Sequence, residues 1–152
     1  MTICVGASAG GHMNELQSIL NHMSIWPVEP SVYITTQEIL AGELKKKGKT
    51  YVVGECNRYH PLEAIRIFFT GFKIMLTDKP DVIITTGSMP IAMICLVAKL
   101  FQKKVVWIDS VVNIGTLSLS GRLMYHFADL FLTQWPENVD KFPKAECAGA
   151  VL

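Results

Sequence analysis

Small residues and a histidine follow the first apolar run of the chain, in the segment Gly6-Ala7-Ser8-Ala9-Gly10-Gly11-His12. A glycine-rich turn from a strand into a helix lets backbone N–H groups approach an anion at the positive end of the helix. Ser8, Gly10 and Gly11 are therefore candidate contacts for a phosphate or diphosphate. His12 stands at the helix start, where the positive potential favours a neutral imidazole that can accept a proton; the alternative is a histidine that only caps the turn.

The spacing of this turn disfavours two common nucleotide-binding classes. It lacks the lysine and hydroxyl residue of a phosphate-loop NTPase, and Ser8 occupies the place of the second glycine in the dinucleotide pattern G-x-G-x-x-G. Glu15, three residues after His12, is a second candidate catalytic residue, and its alternative role is to cap the N–H groups of the first helical turn.

Two more turns of small or polar residues follow later apolar runs. Gly87 and Ser88 follow the fourth run, and Asp109 and Ser110 follow the fifth. Parallel strands end at a shared edge, where doubly wound sheets bind their ligands, so we expect these turns to join the first one in a single crevice. Gly87, Ser88 and Ser110 are candidate acceptor or phosphate contacts. Asp109 either accepts a hydrogen bond from a substrate hydroxyl or caps the segment that follows.

The elements that must position these turns alternate between strand and helix. The predicted strands are Thr2–Val5, Ser31–Thr35, Thr50–Val53, Asp81–Thr85, Lys104–Ile108 and Leu130–Thr133. The predicted helices are Met13–Met23, Glu38–Lys47, Leu62–Thr77, Pro90–Phe101 and Leu119–Phe127. This alternation predicts an α/β fold with a Rossmann-like, doubly wound and mostly parallel sheet. The length of 152 residues fits a single domain over residues 1–152.

Composition narrows the function classes. The net charge of +1 argues against nucleic-acid binding, which needs a strong basic field. The 4 cysteines lie far apart and without zinc-ligand spacing, so we expect free thiols in a reducing cytoplasm and no metal site. The chain begins with a strand-like run, which predicts no signal peptide, and no uncharged stretch is long enough to span a membrane.

The predicted helix Leu62–Thr77 has an unusually wide apolar surface. Its polar residues fall within an arc of roughly 80° when plotted at 100° per residue, and they are Glu63, Arg66, Thr70, Lys73 and Thr77. Two interpretations remain open: neighbouring helices bury the remainder, or the helix faces a membrane. In the second case the apolar contacts are Phe68, Phe69 and Phe72, and the cations Arg66 and Lys73 meet lipid phosphates.

Several segments along nearly the whole chain resemble one known family. They are Ser8-Ala9-Gly10-Gly11-His12 with Glu15, Thr86-Gly87 with Pro90, Ile108-Asp109-Ser110, Leu117-Ser118-Leu119-Ser120-Gly121-Arg122-Leu123-Met124-Tyr125, Ala128-Asp129 and Gln134-Trp135-Pro136-Glu137. The family is the acceptor-side, membrane-recruiting subunit of the split N-acetylglucosaminyltransferase of asparagine-linked glycosylation, together with bacterial PssD-type relatives in exopolysaccharide and capsule synthesis. The glycine-glycine-histidine turn alone is also similar to that of MurG-like GT-B enzymes.

This resemblance implies the amino-terminal half of a GT-B glycosyltransferase. A donor-binding glycosyltransferase subunit would hold the nucleotide sugar, so no cofactor and no metal is expected on this chain. The acceptor would be a polyprenyl-diphosphate-linked sugar, bound in the cleft between the subunits. Gly10, Gly11 and His12 would lie near its diphosphate and its reacting hydroxyl, with His12 as the general base and Glu15 holding the turn.

The sequence departs from the eukaryotic pattern in two ways. The eukaryotic subunit usually begins with a membrane-spanning helix, which this sequence lacks, so we expect a bacterial relative that is peripheral on the cytoplasmic face of the membrane. Asn113 stands where the eukaryotic pattern has an arginine, which weakens any expectation that this loop grips phosphate by charge. Two alternatives remain: a free-standing nucleotide-binding Rossmann protein that uses Glu38 for a ribose, and a non-catalytic adaptor that anchors an enzyme.

Overall fold

The computed structural model describes residues 1–23, 25–56 and 61–150. Within this part of the chain, one parallel sheet contains the strands β1 (Ile3–Ala7), β2 (Val32–Thr35), β3 (Lys49–Val52), β4 (Val82–Gly87), β5 (Lys104–Ile108), β6 (Leu130–Thr133) and β7 (Ala145–Cys147). Their order is β3-β2-β1-β4-β5-β6-β7. The chain runs outward from the centre in both directions, so the predicted doubly wound Rossmann-like fold is confirmed.

Helices connect the strands and cover both faces of the sheet. They are α1 (Gly11–His22), α2 (Glu38–Lys47), α3 (Pro61–Thr77), α4 (Met89–Leu100), α5 (Leu119–Met124) and α6 (Pro136–Lys141). The predicted helix Leu119–Phe127 ends earlier, at Met124, because the N–H groups of His126 and Phe127 bond to carbonyls three residues back. Both α6 and β7 were missed by the sequence prediction.

Two apolar clusters fill the two sides of the sheet. The cluster on the side covered by α1 and α2 is the smaller one and includes Met13, Leu16 and Leu44. The other side is covered by α3 and α4 and forms the larger core. Gly71 of α3 lies against Val97 of α4, and the lack of a side chain there lets the two helices approach closely.

The structure divides the predicted membrane-facing residues of α3 into two groups. Phe69 is 66% exposed, and Arg66 and Lys73 are also exposed. Phe68 and Phe72 instead pack partly buried against the larger core, with their ring centroids 5.1 Å apart. Assigning Phe68 and Phe72 to the outer face was therefore wrong, because they point toward α4 and its end.

The exposed arc of α3 is nevertheless rich in large apolar side chains. Leu62 is 77% exposed, Ile65 52% and Leu76 60%, and these residues share the arc with Phe69. At 100° per residue the four side chains lie within roughly 60°, with Lys73 and Arg66 directly beside them. In the described part of the chain, no helix combines the length and hydropathy that crossing a bilayer would take.

Candidate functional site

The first turn lies open at the carboxyl edge of the sheet. Gly10 adopts a φ of 90°, and the space where a side chain would stand at Gly10 or Gly11 is empty within 4 Å. The N–H of Ala9 donates to Thr36 Oγ1 at 3.0 Å and so ties the turn to the end of β2. Ser8, a predicted phosphate contact, is only 7% exposed. The open part of the turn is therefore formed by its two glycines.

His12 is held against the second predicted turn. Its Nδ1 lies 2.9 Å from the carbonyl oxygen of Thr86, and Thr86 Oγ1 donates to the His12 carbonyl oxygen at 2.5 Å. A carbonyl oxygen can only accept, so Nδ1 carries a proton and Nε2 of the neutral ring keeps its lone pair. The half-buried His12 is thus a usable proton acceptor at this edge.

Gly87 and Ser88 form a tight connection between β4 and α4. Gly87 has a φ of 111°, and a Cβ there would lie 3.1 Å from the Trp107 ring. Ser88 has a φ of 110° and stands at the start of α4, but its hydroxyl makes no capping bond. The Ser88 Oγ atom is buried and has no hydrogen-bond partner within the described residues. A donor of this kind at a helix start suits an anion.

Glu15 connects the first turn to the third. Its Oε1 accepts hydrogen bonds from Ser110 Oγ at 3.0 Å and from the N–H of Val111 at 2.9 Å. The predicted capping role is wrong: α1 begins at Gly11, so Glu15 lies at the fifth helical position instead of the third, where a capping glutamate stands. Its contacts are those of a brace between α1 and the loop after β5, which agrees with the implied role of holding the turn.

Asp109 is the centre of a buried polar cluster. It is 1% exposed, and its Oδ1 accepts from Ser118 Oγ at 2.7 Å while its Oδ2 accepts from Asn113 Nδ2 at 3.2 Å and from the Ser118 N–H at 3.3 Å. Ser110 is 6% exposed and bonds to Glu15. Of the two roles predicted for Asp109, contacts of the structural kind are observed, and Ser110 likewise holds the loop through its bond to Glu15.

Side chains near the end of the chain brace the loop of residues 110–118, and sequence reasoning missed them. Gln134 Nε2 donates to the Asp109 carbonyl at 3.1 Å and Trp135 Nε1 to the Val111 carbonyl at 2.5 Å. Asn138 Nδ2 donates to the Asn113 carbonyl at 2.8 Å. The sequence signal for these contacts was the segment Gln134-Trp135-Pro136-Glu137. This segment is part of the resemblance to the family, but the resemblance implied no role for it.

Two further expectations concern ligands other than an acceptor. Glu38, the candidate ribose contact, is exposed at the start of α2 and lies 3.7 Å from Lys45 Nζ, so its carboxylate is already paired within its own helix. In the described ranges, no three His, Cys, Asp or Glu side chains are grouped so that they could hold a metal ion.

Comparison with known sequences identifies a family, and the names of similar proteins agree with it. Residues 1–151 match the family described as oligosaccharide biosynthesis protein Alg14 like. The chain is 25% identical over 174 residues to the UDP-N-acetylglucosamine transferase subunit ALG14 of Yarrowia lipolytica, with 99% of this chain and 81% of that protein covered. It is 26% identical to the human protein of that name, covering 100% of this chain and 83% of the relative.

Solved structures with the same fold are about twice as long. MurG of Acinetobacter baumannii matches with a TM-score of 0.72 and 15% identity over 90% of this chain and 42% of its own. The UDP-GlcNAc 2-epimerase of Methanocaldococcus jannaschii matches with a TM-score of 0.74 and 14% identity, over 98% of this chain and 45% of its own. The chain therefore has the fold of one half of these GT-B-type proteins.

Proposed function

Because the chain belongs to the family of Alg14-like oligosaccharide biosynthesis proteins, we propose that it is one subunit of a two-chain UDP-sugar transferase. In this proposal the chain, as a single domain, binds a polyprenyl-diphosphate-linked sugar as acceptor. A second chain binds the nucleotide sugar, and the reaction takes place in the cleft between them. The product is a longer lipid-linked oligosaccharide or polysaccharide precursor.

The proposal of a second chain is supported by the names of the relatives and by the folds that this chain matches in part. The curated relatives, of which this chain covers about four fifths, are named as transferase subunits. The full-length folds it resembles have a further half that this chain does not match. Since the crevice with His12 and the glycine turns lies at one edge of the sheet, the donor-binding half would close over that edge.

The proposed chemistry rests on one observation, the His12 ring whose Nδ1 is held by a carbonyl. The acceptor hydroxyl attacks the anomeric carbon of the donor sugar and gives its proton to His12 Nε2. The bond from that carbon to the diphosphate breaks, the nucleoside diphosphate leaves with the electron pair, and the anomeric configuration inverts. Gly10, Gly11 and Ser88 supply N–H and hydroxyl donors for the acceptor diphosphate.

The acceptor is a membrane lipid, and α3 offers the surface that meets the membrane. Its exposed arc combines four large apolar side chains with Arg66 and Lys73, a pattern typical of helices that lie in the interface of a bilayer. Glu63 lies 3.8 Å from Arg66 and offsets part of its charge. Attachment would therefore depend mainly on apolar contact and less on attraction to anionic lipid.

The test is reconstitution. The tagged chain is purified with the protein that co-purifies from its own cells, and transfer of sugar from UDP-sugar to polyprenyl-diphosphate-sugar is measured for each chain alone and for the pair. We expect transfer from the pair and less than a few per cent of it from this chain alone. Full activity of the isolated chain would contradict a split enzyme.

His12→Ala within the pair tests the proposed base. We expect kcat to fall by about 100-fold or more, the usual loss on removing a general base, with the complex still assembled. The matched control is His22→Ala, which removes the exposed histidine at the other end of α1. Unchanged transfer by the His12 variant would leave this chain as an adaptor that anchors its partner.

A further inference from the structure

Strand β4 carries one extra residue opposite β1, and that residue is Thr86. Gly6 pairs with Thr85, but the next residue, Ala7, pairs with Gly87. Thr86 therefore has no partner residue in the ladder, as in a β-bulge. Bulges often lie beside active sites, where they redirect a side chain or a carbonyl group.

The bulge turns both polar groups of Thr86 toward His12. Its carbonyl oxygen accepts from the ring Nδ1 at 2.9 Å, and its hydroxyl donates to the His12 carbonyl oxygen at 2.5 Å. Thr86 is 0% exposed, so water does not compete for these bonds. One residue, 74 positions away in sequence, thus fixes both the backbone and the ring of His12.

Neighbouring groups hold Thr86 in this orientation. The N–H of Gly87 donates to Thr85 Oγ1 at 2.9 Å, which fixes the peptide that carries the Thr86 carbonyl. Gly87 itself has a φ of 111°, a conformation that L side chains rarely adopt. The position of the carbonyl is therefore set by the strand and does not depend on a bound ligand.

From this geometry we infer that Thr86 is a positioning residue that fixes His12 as the Nδ1–H tautomer and directs Nε2 toward the crevice. The inference rests on the proposed role of His12 as the base. An imidazole in water favours the opposite tautomer, with the proton on Nε2, and that form could not accept the proton of an acceptor hydroxyl. The bulge would thus keep the base in its active form before the acceptor binds.

The tautomer can be measured without any substrate. Long-range ¹H–¹⁵N correlation spectra of the isolated chain, recorded at a pH where histidine is neutral, distinguish the two tautomers, and His12→Asn identifies the His12 signals among those of the 4 histidines. We expect the Nδ1–H form in the unmodified chain and in Thr86→Ser, which keeps the hydroxyl. Thr86→Val removes only the hydroxyl that holds the His12 backbone and keeps the carbonyl that accepts from Nδ1, so its ring should also stay in the Nδ1–H form. An Nε2–H ring in the unmodified chain would overturn the inference.

Activity of the two-chain complex gives the second readout. Thr86→Val should lower kcat by about tenfold or more, because it loses the hydroxyl that holds the His12 backbone, while the KM for the acceptor changes less than about threefold. Thr86→Ser, which keeps the hydroxyl, should have the kcat of the unmodified complex. Thermal unfolding of each variant separates this effect from loss of fold. A Thr86→Val complex with unchanged kcat would overturn the inference, whereas unchanged transfer by His12→Ala would instead contradict the proposed function.

Discussion

At the scale of single residues, Asp109 shows how a buried carboxyl group can organise a loop. Its carboxylate accepts hydrogen bonds from Ser118 and Asn113, and the Ser118 hydroxyl also caps α5 by accepting from the Gly121 N–H at 2.8 Å. A side chain at Gly121 would overlap the Asp109 carboxylate. These contacts explain two residues of the block from Leu117 to Tyr125, since Ser118 bonds to the carboxylate and Gly121 leaves room for it.

Asp109→Asn tests this role. The amide keeps the size of the side chain but presents N–H groups to donors, so at least one buried hydrogen bond is lost. We expect the free energy of unfolding to fall by about 1–3 kcal/mol in urea titrations. Asp140→Asn, an exposed change on α6, is the control and should change it by less than about 0.5 kcal/mol. Equal stability of the two variants would refute the structural role.

The residue types in the sequence predicted the place of the candidate site, but they did not predict the role of every residue in it. Small-residue turns after parallel strands must meet at one edge, and Glu15, His12 and Thr86 do bring the three turns together. Asp109 and Ser110 were predicted as ligand contacts because nothing local shows that they are buried. Their burial depends on side chains such as Gln134 and Asn138, which are distant in sequence.

At the scale of elements, the packing of α3 against α4 depends on one glycine. A Cβ at Gly71 would lie 3.2 Å from Val97 Cγ2, and Val97 itself is buried on α4. We expect Gly71→Leu to lower the free energy of unfolding by about 2 kcal/mol or more, because overpacking forces the helices apart. Chemical denaturation provides the measurement.

Gly42→Leu is the matched control for this prediction. Gly42 also lies inside a helix, but nothing stands within 4 Å of the position of its Cβ. The substitution should raise stability by up to about 1 kcal/mol, the gain in helix propensity over glycine. A similar effect of leucine at both positions would show that the packing of α3 on α4 is not tight.

Asp129 joins the end of α4 to the start of β5. Although its partial burial would raise the pKa, hydrogen bonds from Lys99 Nζ, the Val105 N–H and Lys104 Nζ lower it to about 2. The folded-state pKa lies below the unfolded value, so the stabilisation is complete above about pH 4 and is lost as the pH falls toward 2.

The prediction for Asp129 concerns this acid range. Asp129→Asn should lower the free energy of unfolding by only about 1 kcal/mol at neutral pH, because solvent screens partly exposed ion pairs. The difference in this free energy from the unmodified chain should shrink below about pH 4. Unfolding curves at several pH values measure it. A difference that stays constant down to pH 2 would exclude an ionic origin.

Element order was the most predictable level of the structure. The six strands predicted from β-branched runs are all present, with ends shifted by up to two residues. The strand β7 and the helix α6 were missed because they are only 3 and 6 residues long and carry no clear apolar period. Burial of Phe68 and Phe72 could not be read from α3 alone, since it depends on where α4 and Phe101 lie.

At the scale of the whole molecule, the exposed arc of α3 is the surface proposed for membrane contact. Phe69→Glu places a charge at its centre, and we expect binding to vesicles of mixed zwitterionic and acidic phospholipid to fall at least fivefold in flotation assays. Ile39→Glu is the control, because Ile39 is 84% exposed on α2, away from this arc. An equal loss for both variants would contradict a specific role of α3.

The order of strands in the sheet also has a consequence for synthesis of the chain. The central strand β1 pairs with β2 on one side and with β4 on the other. Val5 of β1 therefore cannot pair with Ile84 until β4 has been synthesised. At translation rates of about 5–20 residues per second, several seconds separate the emergence of β2 from that of β4. During that interval the growing chain exposes an open edge of apolar strand, a typical target for chaperones at the ribosome. The contact between His12 and Thr86 forms only after this interval, when more than half of the chain has been made.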